Sequence, residues 1–413
     1  MSILRPFLTR VVRRGRLTVV MPDGREERFG EPEPGFPEVT VRFRNRRAMR
    51  RIIFDPRLGA GETFMDGELQ IVEGDIMELI ALLRMNTPWD RGAKLKDKTV
   101  FGEWLEGVRT RFNSINRRRS ARAHVHHHYD IGNDLYRLFL DDDMQYSCAY
   151  WPRPDMTLEQ AQAAKKAHIA AKLALAPGQR VLDIGCGWGG MAITLAKLEQ
   201  VEVLGITLSD EQLALARQRA EAAGVADRVR FELIDYRDLA AREPGRFDRI
   251  VSVGMFEHVG ARNFETFFRA CANLMTADGV MLLHTIGRFG GPGSTDAFTR
   301  KYIFPGGYIP ALSETVAASE KSRLIATDVE TLRLHYALTL RQWYARTVAH
   351  EAQIVAMMGE RFFRMWTFYL AGATAAFESG SMGNYQIQFA RSRRALPLTR
   401  DYMGEAEAQY GGM

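Results

Sequence analysis

The 413-residue chain is poor in cysteine and has no long apolar run. Its three cysteines, Cys148, Cys186 and Cys271, are odd in number, far apart and without metal-ligand spacing. They exclude a disulfide framework and point to a reducing, cytoplasmic setting. No stretch approaches the roughly 18–20 apolar residues that a membrane span needs. Residues 1–20 are broken by Arg5, Arg10, Arg13, Arg14 and Arg16, which leaves no apolar core for a signal peptide. Any contact with a membrane is therefore expected at its surface, from the inner face. Internal repeats and low-complexity tracts are also missing. What remains is an ordinary globular composition, 46% apolar and 26% charged, long enough for two or three domains.

The net charge of +6 is unevenly spread. Residues 1–122 carry 25 Lys+Arg against 17 Asp+Glu, whereas residues 123–413 carry 31 against 33. Arg42, Arg44, Arg46, Arg47, Arg50 and Arg51 fall in one acid-free window, and Arg109, Arg111, Arg117, Arg118, Arg119 and Arg122 in another. Such runs suit an anionic partner, either lipid headgroups or nucleic acid, and equally a solvated face or linker.

Residues 39–43 (VTVRF) alternate as a strand does, and 75–83 have helical spacing. The glycine-bearing stretch 59–69 (GAGETFMDGEL) predicts a loop or turn. We take 1–105 as a small basic α/β domain for lipid or membrane binding, 106–127 as an arginine-rich linker and 128–413 as a catalytic domain. In the last, strand signals at 180–185, 201–207, 229–235, 247–254 and 279–286 accompany helical stretches at 191–198 and 211–223. Parallel strands need such crossovers, so the pattern predicts an α/β doubly wound sheet. Helices at 334–358 and 361–378 and a strand at 385–391 follow, which suits the Rossmann-like sheet of class I methyltransferases.

Residues 181–190 read VLDIGCGWGG. A buried strand ends near Asp183 and turns through Gly185, Gly187 and Gly189, as a backbone approaching a ligand requires. Gly185, Gly187 and Gly190 also satisfy the dinucleotide pattern G-x-G-x-x-G. Three features favour S-adenosylmethionine. Asp183 can organise the methionine end of that cofactor. The second strand ends GITLS, with no acid for a dinucleotide ribose before Asp210. Asp235 closes the third strand, where it can meet an adenine amino group.

Seven segments carry a resemblance: HYDIGNDLYRLFLDDDMQYSCAYW (128–151), VLDIGCGWGG, GITLS (205–209), GMFEHVG (254–260), LLHTIG (282–287), YIFPGGYIP (302–310) and HYALTLRQWY (335–344). In this order they resemble the signature blocks of the cyclopropane-fatty-acyl-phospholipid synthases. The resemblance implies a methylene transfer from S-adenosylmethionine to the cis double bond of an unsaturated phospholipid acyl chain. It implies that Tyr146, Ser147, Asp183, Gly185 and Gly187 hold the cofactor, with Thr207 and Gln212 at its ribose. It further implies a bicarbonate base held by Cys148, Glu257, His284, the Ile286 backbone and Tyr336, and a possible homodimer. Many relatives have a cysteine where Ala373 stands here, so no thiolate acts at that position.

The expected chemistry needs an alkene pressed against a sulfonium methyl without water, a carbocation stabilised by aromatic faces, and a base for one proton. Tyr302, Phe304, Tyr308, Tyr336 and Trp343 are candidate faces and equally candidate core. The apolar 361–378 stretch reads as an acyl-tunnel wall or as a buried helix. His124, His126, His127 and His128 lack the spacing and partners of a metal site, so no metal is expected. A lipid C-methyltransferase that closes no ring is the nearest alternative. A nucleic-acid methyltransferase is disfavoured because Met255-Phe256-Glu257-His258 stands where a Pro-containing loop or nucleophilic cysteine is expected.

Overall fold

The computed structural model describes residues 4–92 and 132–411, which fall into two compact units. The first comprises the described residues of Met1–Gly102 with Thr295–Pro305 and Tyr336–Met382. The second takes those of Glu103–Ser294 with Gly306–His335 and Gly383–Met413. Two stretches expected in a contiguous 128–413 domain therefore fold with the first unit. Arg109 to Arg122 and the four clustered histidines lie outside the described residues.

The first unit holds a four-stranded sheet of β1 (Arg16–Val20), β2 (Glu26–Phe29), β3 (Glu38–Phe43) and β4 (Leu69–Glu73) in the order β2-β1-β3-β4. In β3, Val39, Val41 and Phe43 point inward and the residues between them outward, as the alternation predicts. The Ile76–Met85 helix opens on a capping box, with Asp75 and Glu78 satisfying each other's backbone N–H groups.

The stretch expected as a loop is instead mostly helix, Pro56–Met65. Asp55 caps it by accepting the Leu58 N–H at 3.1 Å, and Pro56 stands in its first turn. Its glycines serve close packing. A Cβ on Gly59 would lie 2.5 Å from the Arg51 carbonyl oxygen, and one on Gly61 2.5 Å from the Phe298 ring. The Glu360–Glu378 helix packs on this helix and on Ile76–Met85, burying Trp366 and Leu370. The helix expected at 334–358 is two, His335–Ala349 and Glu351–Met358, interrupted at His350.

The second unit is built on seven strands: β5 (Arg180–Ile184), β6 (Glu202–Thr207), β7 (Val229–Leu233), β8 (Phe247–Val253), β9 (Met275–Arg288), β10 (Ile325–Leu332) and β11 (Met382–Ala390). Their order is β10-β11-β9-β8-β5-β6-β7, with β5 to β9 joined in parallel and β10 antiparallel to β11. Apolar clusters cover the sheet. One includes Phe256, Phe267, Phe268 and Phe389, and the other includes Leu173, Val181, Leu195 and Val203. This is the class I methyltransferase arrangement. The order reverses beside β5, which opens a crevice at the carboxyl ends of β5 and β8.

Candidate active site

The glycine turn leaves β5 at this crevice. The N–H groups of Gly185 and Cys186 both donate to the Ile206 carbonyl, at 2.9 and 3.0 Å. Gly187 has a φ of +53°, and a Cβ there would meet no atom within 4 Å, so the turn presents open backbone on that side. Asp183 is 1% exposed, and its Oδ2 meets no hydrogen-bond partner among the described residues. Burial pushes its carboxyl up to about 7, against the pull of the Lys165 charge and the Ala192 backbone N–H. An unmatched buried carboxylate oxygen beside open glycine backbone fits a cationic ligand group, such as the ammonium of S-adenosylmethionine.

At the end of β6, the Thr207 hydroxyl donates to Gln212 Oε1 at 2.9 Å and accepts the Ser209 N–H at 3.2 Å. Thr207 and Gln212 thus stand together beside the glycine turn, both buried. Asp235 follows β7. Its carboxylate accepts the Arg237 backbone N–H at 2.9 Å and pairs with the Arg237 guanidinium at 2.8 and 2.6 Å. The expected adenine contact must share that carboxylate with an arginine.

Tyr146, Ser147 and Cys148 lie on an irregular segment between two helices, Asn133–Phe139 and Leu158–Leu173. Tyr146 packs edge-on against Tyr136 at 5.3 Å, and Tyr136 in turn against Trp188 of the glycine loop at 5.1 Å. A Cβ on Gly254 would come within 3.8 Å of the Ser147 Cβ, so the segment runs beside the end of β8. Cys148 is buried, its thiol is pushed well above the ordinary range by burial, and it donates to the Ala149 carbonyl at 3.3 Å. It is a hydrogen-bonding thiol and not a nucleophile. The sequence reading missed two residues here, Gln162 and Lys165. Both are fully buried, and both reach this segment from the Leu158–Leu173 helix. Their three-residue spacing in an alanine-rich helix was the available signal.

Glu257 sits in a short helical turn after β8. Its Oε1 accepts the Ile286 N–H at 2.6 Å, while Oε2 meets no hydrogen-bond partner among the described residues. Burial raises its carboxyl to about 7, opposed by hydrogen bonds from its own backbone, the Ile286 backbone and the Thr285 side chain. The Ile286 N–H is therefore committed to Glu257. His284, beside Val253 in the β8–β9 register, is 1% exposed and kept neutral by burial. Its ring nitrogens lie 3.0 Å from the Asn384 amide and 3.2 Å from the Gln386 amide, two further residues that the sequence reading missed.

Tyr336 belongs to the first unit, where its ring meets Trp343 at 5.8 Å and Phe377 at 4.9 Å. Tyr302, Phe304 and Trp343 are also in that unit. The Tyr302 hydroxyl donates to Glu62 at 2.7 Å. Tyr308, in the second unit, donates to Glu314 at 2.8 Å.

The family model described as mycolic acid cyclopropane synthetase matches residues 116–387, and one described as a domain of unknown function matches residues 4–88. A probable fatty acid methyltransferase of Pseudomonas putida is 38% identical over 89% of this chain and 92% of its own length. The cyclopropane-fatty-acyl-phospholipid synthase of Escherichia coli K12 is 38% identical over 86% of this chain and 89% of its own. The solved structure of a cyclopropane synthase, MmaA2, from Mycobacterium tuberculosis superposes with a TM-score of 0.62 at 35% identity, covering 65% of this chain and 98% of that one.

Proposed function

The chain belongs to the mycolic acid cyclopropane synthetase family and is an S-adenosylmethionine-dependent methyltransferase, and on that premise we propose that it forms a cyclopropane ring across the cis double bond of an unsaturated phospholipid acyl chain, with bicarbonate as the base. The observation that carries this reading is the buried set at the ends of β8 and β9. Glu257 has one oxygen anchored by the Ile286 N–H and one unmatched, and neutral His284 stands beside β8 on the neighbouring strand.

Asp183, Gly185, Gly187, Gly189, Tyr146, Ser147, Thr207, Gln212 and Asp235 would hold the cofactor, which supplies an electrophilic methyl carbon. Cys148, Glu257 and His284 would line the place of bicarbonate, a weak base suited to a dry site. Ile286 contributes by fixing Glu257. The unmatched Glu257 Oε2 would be available to accept a proton from such an ion. A carboxyl held near 7 can take up or return a proton at that oxygen without a large energy gap. Burial of Glu257, His284 and Cys148 keeps water from quenching a carbocation.

The acyl chain is reached from an anionic membrane surface on the cytoplasmic side. Arg42, Arg44, Arg46, Arg47 and Arg50 are exposed in the first unit, together with Phe54. Among the described residues no helix is long and apolar enough to cross a membrane. Residues 1–105 serve this docking, 106–127 link it to catalysis, and 128–413 supply the catalytic residues.

A second reading is methyl branching of the acyl chain without ring closure, favoured by the relative named a probable fatty acid methyltransferase. Mass spectrometry separates the two. Purified protein is incubated with S-adenosylmethionine and vesicles of a cis-monounsaturated anionic phospholipid. The expected product has gained one methylene and contains a ring. A gain without a ring selects the second reading, and no gain with cofactor bound overturns both.

A further inference from the structure

The Leu158–Leu173 helix is rich in alanine, yet it turns Gln162, Lys165, His168 and Lys172 into the interior of the second unit. Lys172 and His168 meet Glu330 there. The other two meet the segment that carries Tyr146, Ser147 and Cys148. Gln162 Nε2 donates to the main-chain carbonyls of Gln145 and Ser147, at 3.1 and 3.0 Å. One turn on, Lys165 Nζ donates to Gln145 Oε1 at 2.6 Å and to Ser147 Oγ at 2.8 Å. The pair therefore grips both the backbone and the side chains of the segment. The segment needs gripping, because Met144 is held at a φ of +55°, a left-handed conformation costly for a residue with a Cβ.

Geometry alone does not require a lysine. A neutral donor would satisfy two neutral oxygens without the cost of burying an ammonium. The charge has a use in the groups that surround it. Asp141, Asp143, Lys166 and Cys148 face Lys165, and its field also reaches Asp183 and His284. Around Asp183, the opposing influences are the Lys165 charge and the Ala192 N–H, and Cys186 adjoins it as a neutral thiol.

We propose that Lys165 is a positioning residue for the cofactor: its Nζ fixes the Gln145–Ser147 segment, and its charge favours the ionised form of Asp183 that a cationic ligand group requires. This rests on the reading of Asp183 as the carboxylate that meets the methionine end of S-adenosylmethionine. Burial alone favours the neutral acid at Asp183, and Lys165 is the foremost influence on the other side.

The test is titration calorimetry of the full chain with S-adenosylhomocysteine across about pH 5 to 9, which involves no lipid. Wild-type affinity is expected to fall on the acid side of about 7, where Asp183 takes up its proton. Lys165→Met is expected to move that limb up by about one pH unit, weakening binding about tenfold near pH 6. Gln162→Ala should weaken binding alike at every pH, with the limb unmoved. Lys165→Arg, which keeps the charge, should leave the limb in place. A limb unmoved in Lys165→Met overturns the proposal and makes the lysine structural. A wild-type titration with no acid limb overturns the Asp183 reading itself, and the proposal with it. If circular dichroism shows Lys165→Met unfolded, Lys165→Gln is read in the same way.

Discussion

Buried with Oε2 unmatched, the Glu257 carboxyl is held near 7 against an ordinary value of 4.5. The folded protein therefore binds this proton more tightly than the unfolded chain does. The site's contribution to stability is complete below 4.5, erodes as the pH rises towards 7, and is lost above it. Glu257→Gln removes the charged form, so the variant should be more stable than wild type at about pH 8, by on the order of 2–3 kcal/mol in urea titrations. The same variant should form no ring while still binding cofactor. Lower stability at that pH would overturn the burial account, and a normal product yield would remove Glu257 from the base. His284 follows a related logic. Both its ring nitrogens lie against amide nitrogens, while Asn384 Oδ1 meets no hydrogen-bond partner among the described residues. Turning the Asn384 amide over gives the neutral ring one donor and one acceptor, which places its proton on Nε2. His284→Ala should abolish ring formation and leave cofactor affinity unchanged, checked by lipid mass spectrometry beside calorimetry. At this scale, Asp183 and the glycine turn were legible because a tight turn after a buried strand has few other uses. Gln162, Lys165, Asn384 and Gln386 were not. A polar residue in a helix or strand ordinarily marks a solvent face, and only the packed unit shows these faces turned inward.

The Pro56–Met65 helix shows what glycine does to a sequence reading. GAGETFMDGEL looks like a turn because glycine weakens a helix, by about 1 kcal/mol per residue relative to alanine. Here that loss is offset by the Asp55 cap and by contacts that only a residue without a Cβ permits. Gly61→Ala should gain helix propensity and still destabilise, because its Cβ would meet the Phe298 ring at 2.5 Å. A loss of about 1–3 kcal/mol is expected, read as a lower melting temperature. A higher melting temperature would mean that Phe298 yields without cost. β11 makes the complementary point. Tyr385, Ile387 and Phe389 face the apolar core while Asn384, Gln386 and Gln388 are equally buried on the other face. The alternation gave away the strand but not the burial of its polar side. The parallel strands β5 to β9 were legible because apolar runs and helical crossovers alternate. β10 was not, since Ile325–Leu332 is largely exposed and mixes polar and apolar residues without a clean alternation.

Across the whole molecule, charge divides along the chain, and the structure sorts the arginines of the first cluster into two kinds. Arg51 is drawn inward to Glu62 and Asp66. Arg42, Arg44, Arg46, Arg47 and Arg50 remain exposed along β3, the bend after it and the Arg46–Phe54 helix, which ends in Phe54 at 84% exposure. Exposed cations with one protruding aromatic ring match the polar and apolar layers of a lipid surface. A paired arginine contributes to folding instead. Replacing Arg44, Arg46, Arg47 and Arg50 together by Gln should weaken co-sedimentation with anionic vesicles by up to about a thousandfold, at roughly 1 kcal/mol per cation. Salt should remove the difference, since at about 1 M the screening length falls to about 3 Å. Phe54→Ser should cost less binding, and its loss should persist in salt because burial of a ring is not screened. Arg51→Gln should leave vesicle binding intact and lower the melting temperature, because Glu62 and Asp66 each lose one cation and keep only Lys301 with Tyr302 and Arg361, respectively. If the quadruple variant binds as wild type does, or if Arg51→Gln is the one that loses binding, the exposed cluster is only a solvated face and the acyl chain reaches the enzyme by another surface.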